Sequence, residues 1–541
     1  MPSNPTRKTE VQAYRFEVRR MNSALVRKDA VMLHDPLRTH SRATTVGVIL
    51  SAIGLLGFLV FGILKPAAKP PDNGIVIGKE SGQIFVKVAE PKEMLIPTFN
   101  LASARLILMG QQSSGEGGEG QAAAAAQPVN VVEPVIVPDD RLEDIPRGRP
   151  QGIPGAHMQL PGKEQRISDH WAVCHHLPLR EDLPESERLA EANKSQETAV
   201  LAGVPKLGKP LEANVALLVE RVDGELYLIY RPEETANRRA NMVRASIPKD
   251  DPSVMEALQL NGLTTRPMSM GLLNSIQEVG SLEAPHIEGL NQEVQFELDG
   301  RDAKVGDVFA VDHPGKTDYY VVLADGKQRV TQAVASMIRH KHSTDTNIPS
   351  VAPSRLQEMR DSPSPMPVDD YPQQIPTVLD PLKHPTTCVG WALSGTGQER
   401  DGRTTMYYGN ELPFPKDDAG NPERIKVGKA NEEKIVVNHF YMPPGRGAVV
   451  HSATSKSSFK SGPIQLISDR GMRYGIPDTN TAEHLGLSDR RPAPENIIKL
   501  LPTAVSLNLQ AASATYDSVQ VADGAASYQG QETDTDASGT G

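Results

Sequence analysis

An uncharged apolar run near the N-terminus constrains this chain more than any other feature. Residues Ala43 to Leu64, ATTVGVILSAIGLLGFLVFGIL, contain no charged side chain over 22 residues. At ~1.5 Å per residue, a helix of this length spans ~33 Å, about the hydrocarbon core of a bilayer. Soluble cores rarely bury so long a helix without a charge, and no A-x-A site follows closely, as a cleavable signal peptide would require. We therefore predict an uncleaved transmembrane helix at residues 43–64.

The charges on either side give this span a direction. Residues 1–42 carry nine Lys and Arg against four Asp and Glu, a net charge of +5. The whole chain carries −10, so the remainder carries −15. Basic flanking segments stay in the cytoplasm. We expect a single-pass protein of the cytoplasmic (inner) membrane, with residues 1–42 in the cytoplasm and the bulk of the chain, from residue 65, extracytoplasmic.

A basic amphipathic helix is predicted ahead of the span. Within residues 9–34, apolar side chains recur every three or four residues, and Pro36 is expected to end the helix. Such a helix can lie on anionic lipid headgroups or dock in the groove of a cytoplasmic partner, and the sequence leaves both interpretations open. The predicted docking residues are Tyr14, Arg15, Val18, Arg19, Met21 and Leu25.

Two cysteines, Cys174 and Cys388, lie 214 residues apart. Outside the membrane an oxidising environment favours a disulfide between them, and closing so long a loop stabilises by ~5 kcal/mol at most. Trp171 and Trp391 each lie three residues from one cysteine, so we expect a disulfide packed against two indoles in a central core. The alternative is two unrelated buried thiols.

After the span, a turn-bearing hairpin followed by a short helix recurs about four times. This predicts an α+β fold, with a short cytoplasmic helix, one transmembrane helix and an elongated extracytoplasmic region of short α+β repeats. A more β-like stretch at residues 434–452 precedes the fourth copy. We assign residues 65–510 to this region, with Gln111 to Asn130 as a flexible insertion or linker, and residues 511–541 to a disordered acidic tail.

Two runs are compatible at first sight with phosphate binding. AVDHPGKT, Ala310 to Thr317, fits the loose P-loop pattern, and GVPKLGKP, Gly203 to Pro210, comes within one residue of it. A P-loop needs a helix directly after it, whose N-terminus holds the phosphates. The first run is followed by aromatic and β-branched residues, which predict a strand, and the second ends in proline. We predict that the first run is a hairpin connection.

Other patterns for catalysis are missing from the sequence. It contains no G-x-S-x-G, H-E-x-x-H or C-x-x-C. The pairs His175–His176 and His340–His342 have no cysteine or acid at ligand spacing, so we interpret them as exposed surface histidines. We therefore expect no catalytic residue, cofactor or metal site.

Several short segments, taken in order, resemble one known family. They are KTEVQAYRFEVRRM, ALVRKDAVMLHDPLR, NLASARL, GIPGA, WAVC, HPTTCVGW and RYGIPD, spread from about residue 8 to about residue 508. On these segments the chain is identified as a member of the EccB family, a membrane-anchored core component of the actinobacterial type VII (ESX) secretion machine. The insertion after Gly110 and the acidic tail depart from the family pattern.

The resemblance implies a fold and a role. In the family, four short repeats surround a central β-rich domain stapled by a disulfide, whose position Cys174 and Cys388 match. It implies a structural subunit that supports protein export, assembled with an EccC-like FtsK/SpoIIIE ATPase, EccD, EccE, a mycosin protease and further copies of itself, without nucleic acid. Two alternatives remain open: ATPase activity of the extracytoplasmic domain, a label the family bears, and an envelope (peptidoglycan) binding module.

Overall fold

The computed structural model describes residues 8–28, 36–64, 68–89, 92–114, 131–155, 160–167, 169–234, 241–298, 300–342, 347–395, 400–427, 435 and 437–515. The chain divides into two compact units, Met1–Lys69 and Pro70–Gly541. Most of the predicted flexible insertion and of the predicted tail lies outside the described residues. The exceptions are Gln111 to Ser114, which continue a helix, and residues 511–515.

The first unit contains two helices, α1 (Lys8–Arg27) and α2 (Pro36–Leu64). Helix α1 ends before the predicted residue 34, because Lys28 adopts φ 58°, in the left-handed region that does not continue a helix. Pro36 begins α2 and does not end α1. A proline is tolerated in the first turn, where its missing N–H has no partner to lose.

The second unit is a mixture of short helices and strands. Its α-helices within the described residues are α3 (Leu101–Ser114), α4 (Glu185–Lys194), α5 (Pro252–Ala257), α6 (Met270–Leu273), α7 (Gln332–His342), α8 (Thr479–His484), α9 (Glu495–Ile498) and α10 (Leu509–Ala512). Its strands are β1 (Gly74–Gly78), β2 (Ile84–Val88), β3 (Met94–Thr98), β4 (Val135–Val137), β5 (His170–His176), β6 (Glu197–Ala202), β7 (Lys209–Pro210), β8 (Val215–Glu220), β9 (Leu226–Tyr230), β10 (Val243–Ile247), β11 (Arg266–Pro267), β12 (Gln277–Glu278), β13 (Glu293–Leu298), β14 (Arg301–Lys304), β15 (Val308–His313), β16 (Lys316–Leu323), β17 (Gly326–Val330), β18 (Thr377–Val378), β19 (Thr386–Ser394), β20 (Asp401–Gly409), β21 (Ile425–Lys426), β22 (His439–Tyr441), β23 (Gly447–Ala453), β24 (Ile464–Ser468), β25 (Arg473–Ile476) and β26 (Arg491–Pro494).

Four segments of this unit share one arrangement of strands. In each, three antiparallel strands precede a helix, and a later short segment pairs in parallel with the first strand. The orders are β3-β2-β1-β4, β10-β9-β8-β11 and β25-β24-β23-β26, and beside β17-β16-β15 the parallel partner is Ser350, bridged to Ala310. A further segment pairs in parallel with each third strand: Arg147 and Gln151 with β3, β12 with β10, Asp361 with β17, and Thr503 with β25.

The helix after the third strand begins at a capping side chain in all four segments. Such a side chain accepts a hydrogen bond from an N–H of the first turn, which has no partner within the helix. The bonds are Ser103 N to Asn100 Oδ1 (2.9 Å), Ser253 N to Asp251 Oδ1 (3.1 Å), Val334 N to Thr331 Oγ1 (3.2 Å) and Thr481 N to Asp478 Oδ1 (2.7 Å). The local sequence thus fixes where each helix starts.

A seven-stranded sheet, here called the central sheet, joins two distant parts of the chain. Its order is β21-β22-β6-β5-β19-β20-β7. Strands β5, β6 and β7 come from residues 170–210, and the others from residues 386–441. Strand β5 lies inside the sheet, and both of its faces are covered by hydrophobic clusters.

Two further cores differ in how the chain builds them. The middle core is formed by buried side chains between residues 216 and 368. The end core combines residues 75–153 with residues 449–512, and there the Arg105 Nη1 atom donates to the Leu485 carbonyl at 2.8 Å. Ala512 is buried, and Thr515 forms a β-bridge with Gln151, so the folded region extends to residue 515, beyond the predicted residue 510.

Candidate functional site

The predicted docking residues lie on helix α1. Tyr14, Met21 and Leu25 are 70%, 62% and 79% exposed and share one stripe with the half-buried Val18. Arg15 and Arg19 lie one turn apart beside this stripe. An exposed apolar stripe bordered by cations is suited to a partner groove or to an anionic lipid surface. The structure brings these residues together on one helix, and their docking role stays a prediction.

Helix α2 contains the membrane-span candidate. The segment Arg42–Gly62 has a mean hydropathy of 2.3 and none of it is buried within the protein. It overlaps the predicted span, residues 43–64, and is the one such helix among the described residues. A helix satisfies its own backbone hydrogen bonds, which lipid cannot do for it.

The predicted disulfide is present, between neighbouring strands of the central sheet. Cys174 on β5 and Cys388 on β19 are directly opposite in antiparallel register, with Cα atoms 4.0 Å apart. Both are fully buried. The loop that the bond closes contains the second and third of the four segments with a common topology.

The expected packing of this disulfide against two indoles is wrong. Trp171 and Trp391 are also directly opposite each other on β5 and β19. However, side chains alternate between the faces of a strand, so a spacing of three residues places the indoles on the face opposite the sulfurs. The disulfide instead belongs to a cluster with Leu207, Phe414 and Tyr441.

The expectation of surface histidines is wrong for His175. This side chain is fully buried, its Nε2 atom lies 2.7 Å from Gln196 Oε1, and burial lowers its pKa to about 3. His176 is partly buried, with Nδ1 2.8 Å from Thr386 Oγ1. Because β5 is covered on both faces, alternation cannot bring either ring fully to the surface. Among the described residues no cluster of three or more His, Cys, Asp or Glu could hold a metal ion.

A buried arginine next to this sheet was not singled out from the sequence. Arg266 on β11 is 1% exposed and donates from Nη1 to the Pro385 carbonyl at 3.3 Å, and from Nη2 to the His384 carbonyl. Burial lowers its pKa to about 9. These bonds tie the second segment to the residues that lead into β19. No local pattern around Arg266 marks it, because its partners are more than a hundred residues away.

The P-loop-like run AVDHPGKT is a hairpin, as predicted. His313 at the end of β15 pairs with Lys316 at the start of β16, and the two-residue turn between them contains Gly315 at φ 78°. The Lys316 Nζ atom lies 2.9 Å from Asp318 Oδ1, and Thr317 Oγ1 donates to Asp312 Oδ1 at 2.8 Å. Both side chains that a P-loop would offer to phosphate and metal are already bound to carboxylates.

The second run, GVPKLGKP, ends in a short strand. Lys209 and Pro210 make up β7, at the edge of the central sheet, where they pair with Tyr408 and Tyr407 of β20. An edge strand tolerates proline because one side of its backbone needs no partner strand.

Comparison with known proteins identifies the family. A family model described as "Type VII secretion system ESX-1, transport TM domain B" matches residues 3–521. The chain belongs to the EccB family. The match extends over both compact units and over the central sheet, as the resemblance in the sequence implied.

Relatives of established family are similar over nearly their whole length. The "ESX-3 secretion system ATPase EccB3" of Mycolicibacterium smegmatis is 28% identical over 525 residues, which cover 94% of this chain and 90% of the relative. The "ESX-1 secretion system ATPase EccB1" of Mycobacterium tuberculosis is 26% identical over 523 residues, 95% of each chain.

Solved structures show the same fold. An EccB3 dimer from an ESX-3 core complex has a TM-score of 0.61 and 25% identity, covering 82% of this chain and 100% of that one. A chain of an intact ESX-5 inner membrane complex has a TM-score of 0.61 at 24% identity, covering 96% of this chain and 98% of that one.

Proposed function

We propose that this protein is a structural, scaffold subunit of a type VII secretion inner-membrane complex, and that it supports protein export across the cytoplasmic membrane. The observation that carries the proposal is the family match over residues 3–521, which includes an apolar helix long enough to cross a membrane. A structural neighbour from an inner-membrane complex covers nearly the whole chain and supports the same fold.

In this proposal each part of the chain has one task. Helix α2 anchors the protein as a single span with its N-terminus in the cytoplasm. The basic residues before the span support this orientation. Helix α1 contacts a cytoplasmic partner through Tyr14, Arg15, Val18, Arg19, Met21 and Leu25. The extracytoplasmic region binds further copies of the same chain, in line with the EccB3 dimer among its structural neighbours. The other partners are an EccC-like FtsK/SpoIIIE ATPase, EccD, EccE and a mycosin protease.

We also infer that the four segments with a common strand order are internal repeats, and that the central sheet with its disulfide is the β-rich domain between them. The common topology and the equivalent capped helices support this. Repeats of one topology provide similar surfaces at different places along a scaffold.

A pull-down from membranes tests the scaffold function. The tagged full-length protein, extracted in a mild detergent, should bring down an FtsK-like ATPase and a polytopic partner in a large assembly. Recovery of the protein alone would contradict the proposal.

A pair of variants then tests the docking helix. Tyr14→Glu/Leu25→Glu places charges on the apolar stripe and should release the cytoplasmic partner. Phe16→Glu/Val26→Glu is the matched control, because these apolar residues are exposed on α1 but lie off the stripe. If both variants retained the partner equally, a docking role of the stripe would be excluded.

A second candidate function, ATP hydrolysis, is favoured by the names of the curated relatives. If either P-loop-like run bound nucleotide, Lys316→Ala or Lys209→Ala would abolish turnover in a highly purified preparation. We expect neither variant to change it, because both lysines lie in strands.

A further inference from the structure

A polar cleft lies where three parts of the second unit meet. It has a volume of about 510 Å³ and is lined by the start of β10 and the β12 region, by β19 and β20, and by the residues around β23, β26 and α9. This volume falls within the range of ~300–1,000 Å³ that is usual for ligand sites. Trp391, 8% exposed, lines the cleft, and the indole lies against Gly402, where a Cβ atom would collide with it.

The charges in the cleft offset one another. The lining residues include two cations, Arg244 and Lys456, and two carboxylates, Glu278 and Asp401. The Arg244 Nη2 atom lies 2.8 Å from Glu278 Oε2. A site of zero formal charge, with its most buried cation paired, favours a neutral ligand over an anion or a cation.

In each of three asparagine side chains in the cleft, one atom of the amide group is hydrogen-bonded to the protein. Asn241 Oδ1 accepts from the Thr404 N–H at 3.4 Å, and Asn274 Oδ1 accepts from Arg244 Nη1 at 3.1 Å. Asn496 Nδ2 donates to the Ser275 carbonyl. The other end of each amide has no protein partner among the described residues, and each amide both donates and accepts. Asn241 precedes β10, Asn274 follows α6 and Asn496 lies on α9, so the fold brings these pre-oriented groups together.

We propose that this cleft binds a neutral oligosaccharide. Fixed amides and the hydroxyls of Thr404, Thr454 and Ser455 match sugar hydroxyls, which also donate and accept, and the small exposed part of the Trp391 ring adds an apolar contact. Grooves for extended peptides instead hold alternate side chains in apolar pockets. The proposal is independent of the partners suggested above, since it concerns a site within one chain.

The two tryptophans of the chain make the proposal directly testable. In Trp171→Phe the remaining indole is that of the cleft, and Trp171 itself is buried outside it. The full-length variant in lipid nanodiscs, which avoids glycoside detergents, is titrated with a tetramer of β-1,4-linked N-acetylglucosamine, with maltotetraose and with tetra-alanine. We expect at least one sugar to change the emission of Trp391 and tetra-alanine to leave it unchanged.

Calorimetry with cleft variants completes the test. Trp391→Phe and Asn241→Ala should each weaken sugar binding about tenfold, as expected for the loss of one contact side chain. Lys316→Ala, far from these lining residues in sequence and absent from the cleft, should bind as the unmodified protein does. Binding of tetra-alanine in place of sugar, unaltered affinity in both cleft variants, or no heat with either sugar at about 10 mM would overturn the proposal.

Discussion

The middle core and the end core of the second unit each depend on holding distant parts of the chain together, and they do so by different interactions. The middle core uses residues 216–368, and the disulfide between Cys174 and Cys388 closes a covalent loop around them. The end core joins residues 75–153 to residues 449–512 across nearly three hundred intervening residues, by packing and hydrogen bonds among its buried residues. Bringing distant segments together costs chain entropy. In the middle core a covalent bond closes the long loop, whereas in the end core apolar burial holds the two distant segments together.

Removal of the disulfide should have one of the largest effects. We expect Cys174→Ala/Cys388→Ala to lower the free energy of unfolding by about 2–5 kcal/mol, because the unfolded chain regains the entropy of a 214-residue loop. The measurement is the denaturant midpoint of the full-length protein, with the unmodified protein under reductant as the parallel sample. An unchanged midpoint would mean that the middle core does not depend on its covalent closure.

A matched pair of leucine truncations should distinguish the cores. Leu106 in the end core and Leu258 in the middle core are both fully buried, so each change to Ala should cost about 2–5 kcal/mol. In limited proteolysis, Leu106→Ala should expose sites in both residues 75–153 and residues 449–512. Leu258→Ala should expose sites within residues 216–368 alone. If Leu106→Ala exposed cleavage sites in only one of these two ranges, a joint core would be contradicted.

Acid should weaken the sheet that carries the disulfide, through His175. The pKa of His175 is depressed to about 3 by burial, so its neutral form stabilises the fold fully above the unfolded pKa of about 6.5. This stability is lost as the pH falls from about 6.5 towards 3, at up to ~1.4 kcal/mol per pH unit. Urea titrations between these values should show that slope, and His175→Gln should flatten it. The same slope in both proteins would exclude His175 as its source.

Two capping aspartates offer a finer comparison. Asp251→Ala in the middle region and Asp478→Ala in the C-terminal segment should each cost about 1 kcal/mol for a lost helix cap. Asp251 should cost more, because Lys341 Nζ also lies 2.7 Å from its carboxylate. Hydrogen bonds from Lys341 and Ser253 lower the pKa of Asp251, so its contribution is present above the unfolded pKa and lost as the pH falls through the lower folded value. Equal costs for the two variants at neutral pH would show that the Lys341 contact adds nothing.

The smallest effect is expected at the P-loop-like turn. Lys316 is exposed, with its ion pair to Asp318 at the protein surface, so Lys316→Ala should change the free energy of unfolding by less than about 0.5 kcal/mol. Thermal unfolding of the variant beside the unmodified protein checks this. A larger loss would show that the hairpin supports the middle core.

Local sequence signals account for much of this fold. The uncharged run predicts the apolar helix, the Asp and Asn caps begin helices after third strands, and the Pro314-Gly315 pair occupies a hairpin turn. These features depend on contacts within a few residues, so their physical causes are visible in the sequence. The disulfide was also predictable, because the chain offers one possible pair of cysteines.

Tertiary structure alone decided which faces are inside and which distant groups meet. The position of β5 within a sheet covered on both faces buried His175, and strand alternation separated the indoles from the sulfurs. The cleft brings Asn241, before β10, and Asn274, after α6, together with Asn496 on α9, which lies more than two hundred residues further along the chain. Such arrangements arise from long-range pairing and from the total apolar area that can be buried, and no local pattern of residues encodes either.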